Sequence, residues 1–556
     1  MIKRSSLPQT YVHSLKDVLK NRISRSLALG LISSLLTATS GWSAERIQFF
    51  YGPFEPTIWV EDLDRFAEDG EITDRFRFYA KRLSEEQLDS LQALLNRRFD
   101  INSVMISQFT YSPVGERLLD RIGQVVQTDN FLNGFHAIRA AVILAAADDE
   151  GCTVINVIRH FPLKTIQLNL PLALQILDEN QQIFQQRDAV VAQIRQQAEE
   201  AAANNAMPLP NRADPSQSGP YSWQRETWTF QTPNRPDRSN ADLYRPNFNS
   251  AQPTSIPVII ISHGIASDRQ TFSYLAAHLA SHGYAIVVLE HIGTSAEKFT
   301  RFLRGLEGAP DPRELISRPL DITAALDELE NWAQADPTLQ ALNLAAVGVL
   351  GQSLGGYTVL AAGGATLNRD KLADRCGATL EERPTLNLSL LIQCRLLELP
   401  SDTSLAVQDS RIKAVIAINP LTSHVFGQEG LGQLQPPVML IAGVNDYFAP
   451  ALPEQIESFG WLKAEEKYLV VMENGTHFSF LGGENRGALP VPDGLIGPDP
   501  RLAQPALRSL SLSFFNRYLL NQTQDEAYLN QAYLDLFDPQ PFRFSIISDW
   551  PISGLQ

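Results

Sequence analysis

The chain has 556 residues, 44% of them hydrophobic and 19% charged, which is more than one ordinary core needs and predicts two or more globular units. Its 46 basic residues face 62 acidic ones, and the formal charge of −16 argues against a nucleic-acid partner, which would require a concentrated basic surface, and no such patch is visible after residue 45.

The amino terminus departs from this balance. Residues 1–25 carry Lys3, Arg4, Lys16, Lys20, Arg22 and Arg25 against a single Asp17, and "SLALGLISSLLTATSGWSA" then supplies a short apolar run ending in small residues. This is the pattern of a secretory signal over residues 1–44, and it predicts export to a periplasmic or extracellular location. Cleavage after Ser43, with Gly41 upstream, fits better than cleavage after Ala44, which leaves Trp42 at the third position. An uncleaved anchor fits less well, because the run is shorter than the roughly 18 to 20 residues a spanning helix needs.

Residues 45–170 read as a small all-helical domain. "VEDLDRFAEDG", "SEEQLDSLQALLNRRF", "VGERLLDRIGQVV" and "NGFHAIRAAVILAAADDEG" repeat apolar residues at three and four positions, with acidic residues or serine near their starts. Ser112 reads there as a helix cap. Residues 171–222 follow as a long polar helix with an apolar stripe at Ile183, Val190, Val191 and Ile194, then a Pro-, Asn- and Ser-rich linker near 203–220.

From residue 223 the period changes. "PVIIIS", "YAIVVLE", "LAAVGVL", "IKAVIAIN", "PVMLIAG" and "KYLVVME" are short and continuously apolar, and helical segments such as "TFSYLAAHLASHG" and "PLDITAALDELENWA" lie between them. Strands buried on both faces with interleaved helices predict an open, mostly parallel α/β sheet over 223–545. In such sheets chemistry gathers at the carboxyl ends of the strands.

"LAAVGVLGQSLGGYTVLAAGG" places Gly-Gln-Ser-Leu-Gly between a buried strand and a helix, the setting of a nucleophile elbow with Ser353 at its tip. A serine hydroxyl needs a base and an orienting acid, in the chain order Ser, Asp or Glu, His. "PVMLIAGVNDYFAP" offers Asp446 after one strand, and "KYLVVMENGTHFSF" offers His477 after the next. The oxyanion donors then fall to the backbone N–H groups of Leu354 and of Ile265, the latter in the loop "SHGIASDRQTF". Asp321, Asp268 and Glu290 are weaker candidates for the acid, and His424 precedes Asp446 and does not suit the order. His263 reads as fixing the shape of the oxyanion loop and is also a pocket candidate. His291 either lines the pocket or is structural, and Gln352 is a further pocket candidate. No cofactor is called for, and no metal: for zinc, the cysteines lack a plausible third and fourth ligand.

Two features stay open at this level. Cys376 and Cys394 lie 18 positions apart and either close a loop worth about 3 kcal/mol or, with Cys152, remain buried thiols. The insertion at 367–411 places Leu386, Leu390, Cys394 and Leu397 on one helical face, which suits either a lid over an acyl pocket or a helix packed on the core.

On "SHGIASDRQTFSYLAAHLASHGYAIVVLEHIGTSA" and "GQSLGGYT", residues 223 to about 545 resemble the α/β-hydrolase superfamily and are similar to platelet-activating-factor acetylhydrolases and dienelactone-hydrolase-like enzymes. The resemblance implies hydrolysis of lipid or short-acyl esters without a cofactor. Lipase, phospholipase, acyltransferase and peptidase activities are the rivals within the fold, and a non-catalytic binding protein is the rival outside catalysis. Those acetylhydrolases usually carry His where this chain has Gln352, and place the acid where it has Asn419, which moves the acid role to Asp446. Residues 45–170, beginning "ERIQFFYGPFEPTIWVEDLDRFAEDGEI", resemble the uncharacterised helical domain that precedes α/β-hydrolases in cyanobacterial proteins. That domain, or the lid, is the candidate for peripheral membrane or envelope contact.

Overall fold

The computed structural model describes residues 43–49, 55–204, 214–232, 235–248, 253–380, 382–383, 385, 387–482, 491, 493–537 and 540–549. The expected signal segment lies outside them except for its last two residues, as do residues 205–213 of the expected linker and Leu386. Among the described residues, no helix is long and apolar enough to cross a membrane. The chain divides into a smaller unit, residues up to 98 with 126–168, and a larger one, residues 99–125 with 169–556.

The larger unit is built on one nine-stranded sheet. Numbered in chain order, its strands are β1 (Ser222–Phe230), β2 (Ser239–Asn247), β3 (Ile256–Ser262), β4 (Ala285–Leu289), β5 (Leu342–Gln352), β6 (Ile412–Ile418), β7 (Val438–Gly443), β8 (Lys467–Glu473) and β9 (Arg543–Ile547). The spatial order is β1-β2-β4-β3-β5-β6-β7-β8-β9. From β4 through β8 every neighbouring pair is parallel. The edges are antiparallel, β1 on β2, β2 on β4 and β9 on β8.

Continuous hydrophobicity in the central strands serves two cores at once. In β3, Val258 and Ile260 face one cluster while Ile259 and Ile261 face the other, as the two-residue period dictates. The helices that matter below are α1 (Pro113–Val125), α2 (Leu170–Asn204), α3 (Ser273–Ser281), α4 (Glu314–Ala335), α5 (Leu354–Gly363) and α6 (Gln504–Leu519). Leu326 and Leu329 of α4 and Val359 and Leu360 of α5 close the first core. Leu275 and Leu279 of α3 and Phe514 and Phe515 of α6 close the second.

The α2 helix is no free spacer. Its stripe of Val190, Val191, Ile194 and Ala198 enters the first core, and Arg195 pairs with Glu473 at 3.0 Å. The unit boundary therefore differs from the sequence reading, since α1 and α2 both belong to the larger body.

The smaller unit is not all-helical. Alongside helices such as Val60–Asp69 and Phe135–Ala147 it holds a four-stranded sheet, in the order Thr57–Trp59, Arg46–Phe49, Thr165–Leu168, Val126–Gln127. The central pair, Arg46 on Thr165 through Phe49 on Leu168, joins segments more than a hundred residues apart. Strands of two to four residues carry too little periodicity to declare themselves, and their partners are remote.

Within the insertion, a disulfide joins Cys376 to Cys394, while Cys152 is a free, buried thiol. The expected helix is shorter than its apolar spacing suggested. It runs only from Ser389 to Gln393, where Asn387 Oδ1 accepts the Ser389 N–H, and then tightens into a 3₁₀ turn over Cys394–Glu398.

Candidate active site

Three strand ends converge above the sheet. At the end of β5, Ser353 adopts φ 58° and ψ −122°, and α5 begins at the next residue. A non-glycine residue held this way costs on the order of 1–3 kcal/mol. The Ser353 N–H bonds to Ile418 O at 2.8 Å, which fixes the turn to β6. The flanking glycines are required by close approach: a Cβ on Gly351 would lie 2.2 Å from Gly355 O, and one on Gly355 would lie 2.1 Å from Ser262 O.

His477 follows β8, and its Nε2 lies 2.8 Å from Ser353 Oγ. Its Nδ1 lies 2.6 Å from Oδ2 of Asp446, which follows β7. The other Asp446 oxygen accepts the N–H groups of Phe448 and Ala449, both at 2.8 Å, so the carboxylate cannot turn away from the imidazole. Phe448 packs on the ring at 5.3 Å between centroids. All three polar groups are buried, Ser353 at 5%, Asp446 at 4% and His477 at 9% exposure.

Gln352 Nε2 donates to His477 O at 3.0 Å, and Asn419 Nδ2 donates to Thr476 O at 3.2 Å, so the histidine loop is tied back to β5 and β6. Asn419 Oδ1 in turn accepts the Gly443 N–H at 2.9 Å. The residue where the resemblance expects an acid therefore acts as a strand-end clasp.

Beside Ser353 lies a mostly apolar cavity of about 90 Å³. Its walls include Ile265, Leu354, Leu421, Phe448, Phe478 and Leu481, and the insertion contributes Leu388, Ser389 and Ile392. The insertion thus lines the cavity as well as packing on the core. Gln352 also lines it. Leu354 is the first residue of α5, so its amide has no intrahelical acceptor.

His263 and His291 are not among the residues lining the cavity and are corrected as pocket candidates. Both are fully buried, at the end of β3 and the end of β4. His263 Nε2 accepts the His291 N–H at 3.0 Å, which leaves its Nδ1 to donate to Gly264 O at 2.7 Å. His291 bonds Ser262 Oγ at 2.8 Å and Asp321 Oδ2 at 2.7 Å. Burial, with the Arg318 guanidinium beside them, pushes both imidazoles well below their usual range, so both are neutral.

The remaining candidates are committed elsewhere. Asp321 accepts two bonds from Arg235, at 2.8 and 3.0 Å, Glu290 pairs with Arg269, and Asp268 accepts the Gln270 N–H. His424 bonds Ser423 Oγ at 2.8 Å, and Ser112 accepts the Gly115 N–H as a cap.

Two buried polar groups escaped sequence reading. Arg318 of α4 is completely buried and donates to Ser262 Oγ and His263 O at the end of β3. Its signal was present, since Glu314, Arg318 and Asp321 recur at four and three positions on the inner face of α4, where apolar residues belong. Glu454, beyond the Asp446 loop, is also fully buried, and accepts from Asn387, Ser389 and Gln393 of the insertion and from the Thr422 and Ser423 amides. No local pattern marks it.

Residues 43–169 match the family model "Alpha/beta hydrolase of unknown function (DUF1400)", and residues 240–318 match "Platelet-activating factor acetylhydrolase, isoform II". The latter window runs from β2 through the oxyanion loop into α4. A platelet-activating factor acetylhydrolase of Cavia porcellus is 24% identical over 298 residues, 47% of this chain and 57% of the relative, so the chain spans just over half the length of that curated relative. The fold, the sharp turn at the end of β5 and these matches agree: the larger unit has the α/β-hydrolase fold, and the chain is similar to the platelet-activating-factor acetylhydrolases.

Proposed function

We propose that the protein is a serine carboxylic-ester hydrolase working through an acyl-enzyme. The observation that carries this reading is the unbroken row Ser353 Oγ, His477 Nε2, His477 Nδ1, Asp446 Oδ2, with links of 2.8 and 2.6 Å. Ser353 Oγ attacks the ester carbonyl and gives its proton to His477 Nε2. The imidazolium hands that proton to the departing alcohol, a water repeats the sequence on the acyl-enzyme, and Asp446 holds the ring in the required tautomer. The N–H groups of Leu354 and Ile265 receive the charge on the tetrahedral oxygen.

The small cavity beside Ser353, about 90 Å³ and lined by Leu388 and Ile392, favours a short acyl group. The acetyl group in the relative's name is in keeping with this. Export remains part of the proposal, and the disulfide suits an oxidising compartment.

Ser353→Ala tests the assignment directly. A fluorophosphonate probe should label the wild-type chain and not the variant, and turnover of p-nitrophenyl acetate should vanish with the label. Equal labelling of both proteins would end the reading.

A further inference from the structure

We propose that Arg318 is a positioning residue that aligns the two halves of the oxyanion hole. The proposal rests on the serine-esterase reading above. It is carried by the contacts of one guanidinium, fully buried and bonded to neutral acceptors rather than directly to a carboxylate.

On the loop side, Arg318 Nη2 donates to His263 O and to Ser262 Oγ. Nη1 donates to Thr294 Oγ1 at 2.5 Å, and Thr294 O accepts the Ala266 N–H at 2.8 Å. The loop from 263 to 266 is therefore held at both ends by one side chain, directly at His263 and through Thr294 at Ala266. Between these anchors, His263 Nδ1–H binds Gly264 O. Across a planar trans peptide the next N–H points opposite to that carbonyl, so fixing Gly264 O fixes the direction of the Ile265 N–H.

On the elbow side, Arg318 Nε donates to Thr358 Oγ1 at 3.0 Å. The Thr358 hydroxyl donates to Leu354 O at 2.6 Å, one turn back on α5. Leu354 carries the other proposed donor. Among the described residues, Arg318 is thus the side chain whose hydrogen bonds reach both the loop of one donor and, through Thr358, the helix turn of the other. Its charge is balanced at longer range. Arg235 is bonded to both Glu314 and Asp321, so two guanidiniums and two carboxylates share the cluster. A preorganised pair of donors is worth most when neither half shifts, because displacement of one donor costs about 10²–10³ in kcat.

The experiment uses the full chain with p-nitrophenyl acetate and a trifluoromethyl ketone that mimics the tetrahedral oxyanion. Arg318→Lys and Arg318→Met should lower kcat by about a hundredfold with KM within about threefold, and should weaken the ketone's Ki in proportion to the loss in kcat/KM. Thermal melting shows which variants fold. If neither does, Thr358→Val and Thr294→Val carry the test, each lowering kcat about tenfold with the same Ki correlation, and Thr358→Ser restores the rate. Folded variants whose kcat is unchanged, or whose KM rises while the ketone's Ki stays fixed, would overturn the role given to Arg318. Ser353→Ala keeps the two ideas apart: an active Ser353→Ala enzyme removes the esterase reading, whereas an inactive one beside a fully active Arg318→Met enzyme removes only this proposal.

Discussion

Two buried polar clusters flank Ser353, and they are made of opposite materials. Beside the oxyanion loop, Arg318 and Arg235 are set against Glu314 and Asp321, and the contacts nearest Ser353 fall on backbone and hydroxyl oxygens. Under the insertion, the single carboxylate of Glu454 is surrounded by neutral donors: two amide side chains, hydroxyls and two backbone N–H groups. The first cluster grips the main chain that faces the reacting atoms, and the second grips side chains of the insertion that lines the cavity. The contrast predicts an effect on rate from one and on selectivity from the other, and variants on each side separate the two.

The largest effect belongs to the row between the clusters. Asp446→Asn should lower kcat by about 10³–10⁴, because an amide facing His477 Nδ1 favours the tautomer that cannot take the Ser353 proton. The two N–H groups of Phe448 and Ala449 hold the replaced side chain in place, so folding should survive. Steady-state kinetics with circular dichroism checks both halves of this expectation. A rate within tenfold of wild type would move the acid role to another carboxylate.

Ser353, Asp446 and His477 were legible because each lies directly after a strand whose apolar run is unmistakable. Order along the chain therefore stood in for position in space. The six central strands were legible for the same reason. The β1 strand was not, since "SWQRETWTF" is exposed at most positions and no buried run announces it. Nor was the sheet of the smaller unit, whose central strands are four residues long and pair across a distance no local window spans. Arg318 and Glu454 illustrate a further barrier: their partners are carbonyls, hydroxyls and amides scattered over many loops, so the charges on the inner face of α4 mark Arg318 as buried without showing what it holds, and no local pattern marks Glu454.

On the lid side the expected changes are smaller and of another kind. Glu454→Gln turns one acceptor oxygen into a donor facing other donors, at a cost of about 1–3 kcal/mol. With Asn387, Ser389 and Gln393 released, the wall formed by Leu388 and Ile392 should loosen. The ratio of kcat/KM for p-nitrophenyl hexanoate over acetate should rise about tenfold, while kcat for acetate changes little. A fall in kcat for acetate with an unchanged chain-length ratio would erase the division of labour between the clusters. Replacing Cys376 and Cys394 by alanine should lower stability by about 3 kcal/mol in denaturant unfolding, with a lesser shift of the same ratio, because the disulfide holds the insertion from its other end.

The smallest expected effect concerns Glu457, one helical turn from Glu454. Burial, with the Glu454 charge adding to it, pushes its carboxyl up to about 7. In the unfolded chain the same group titrates near 4.5. Between these values the folded protein holds a proton that the unfolded chain has lost, so stability falls as pH rises from about 4.5 to about 7 and is level above. Glu457→Gln removes this loss. The variant should match wild type near pH 4 and exceed it by about 1–3 kcal/mol at pH 8 in urea unfolding. An equal gain at both pH values would mean that packing of the amide, not relief of a buried charge beside Glu454, is responsible, and would weaken the picture of the lid cluster as one carboxylate held by neutral donors.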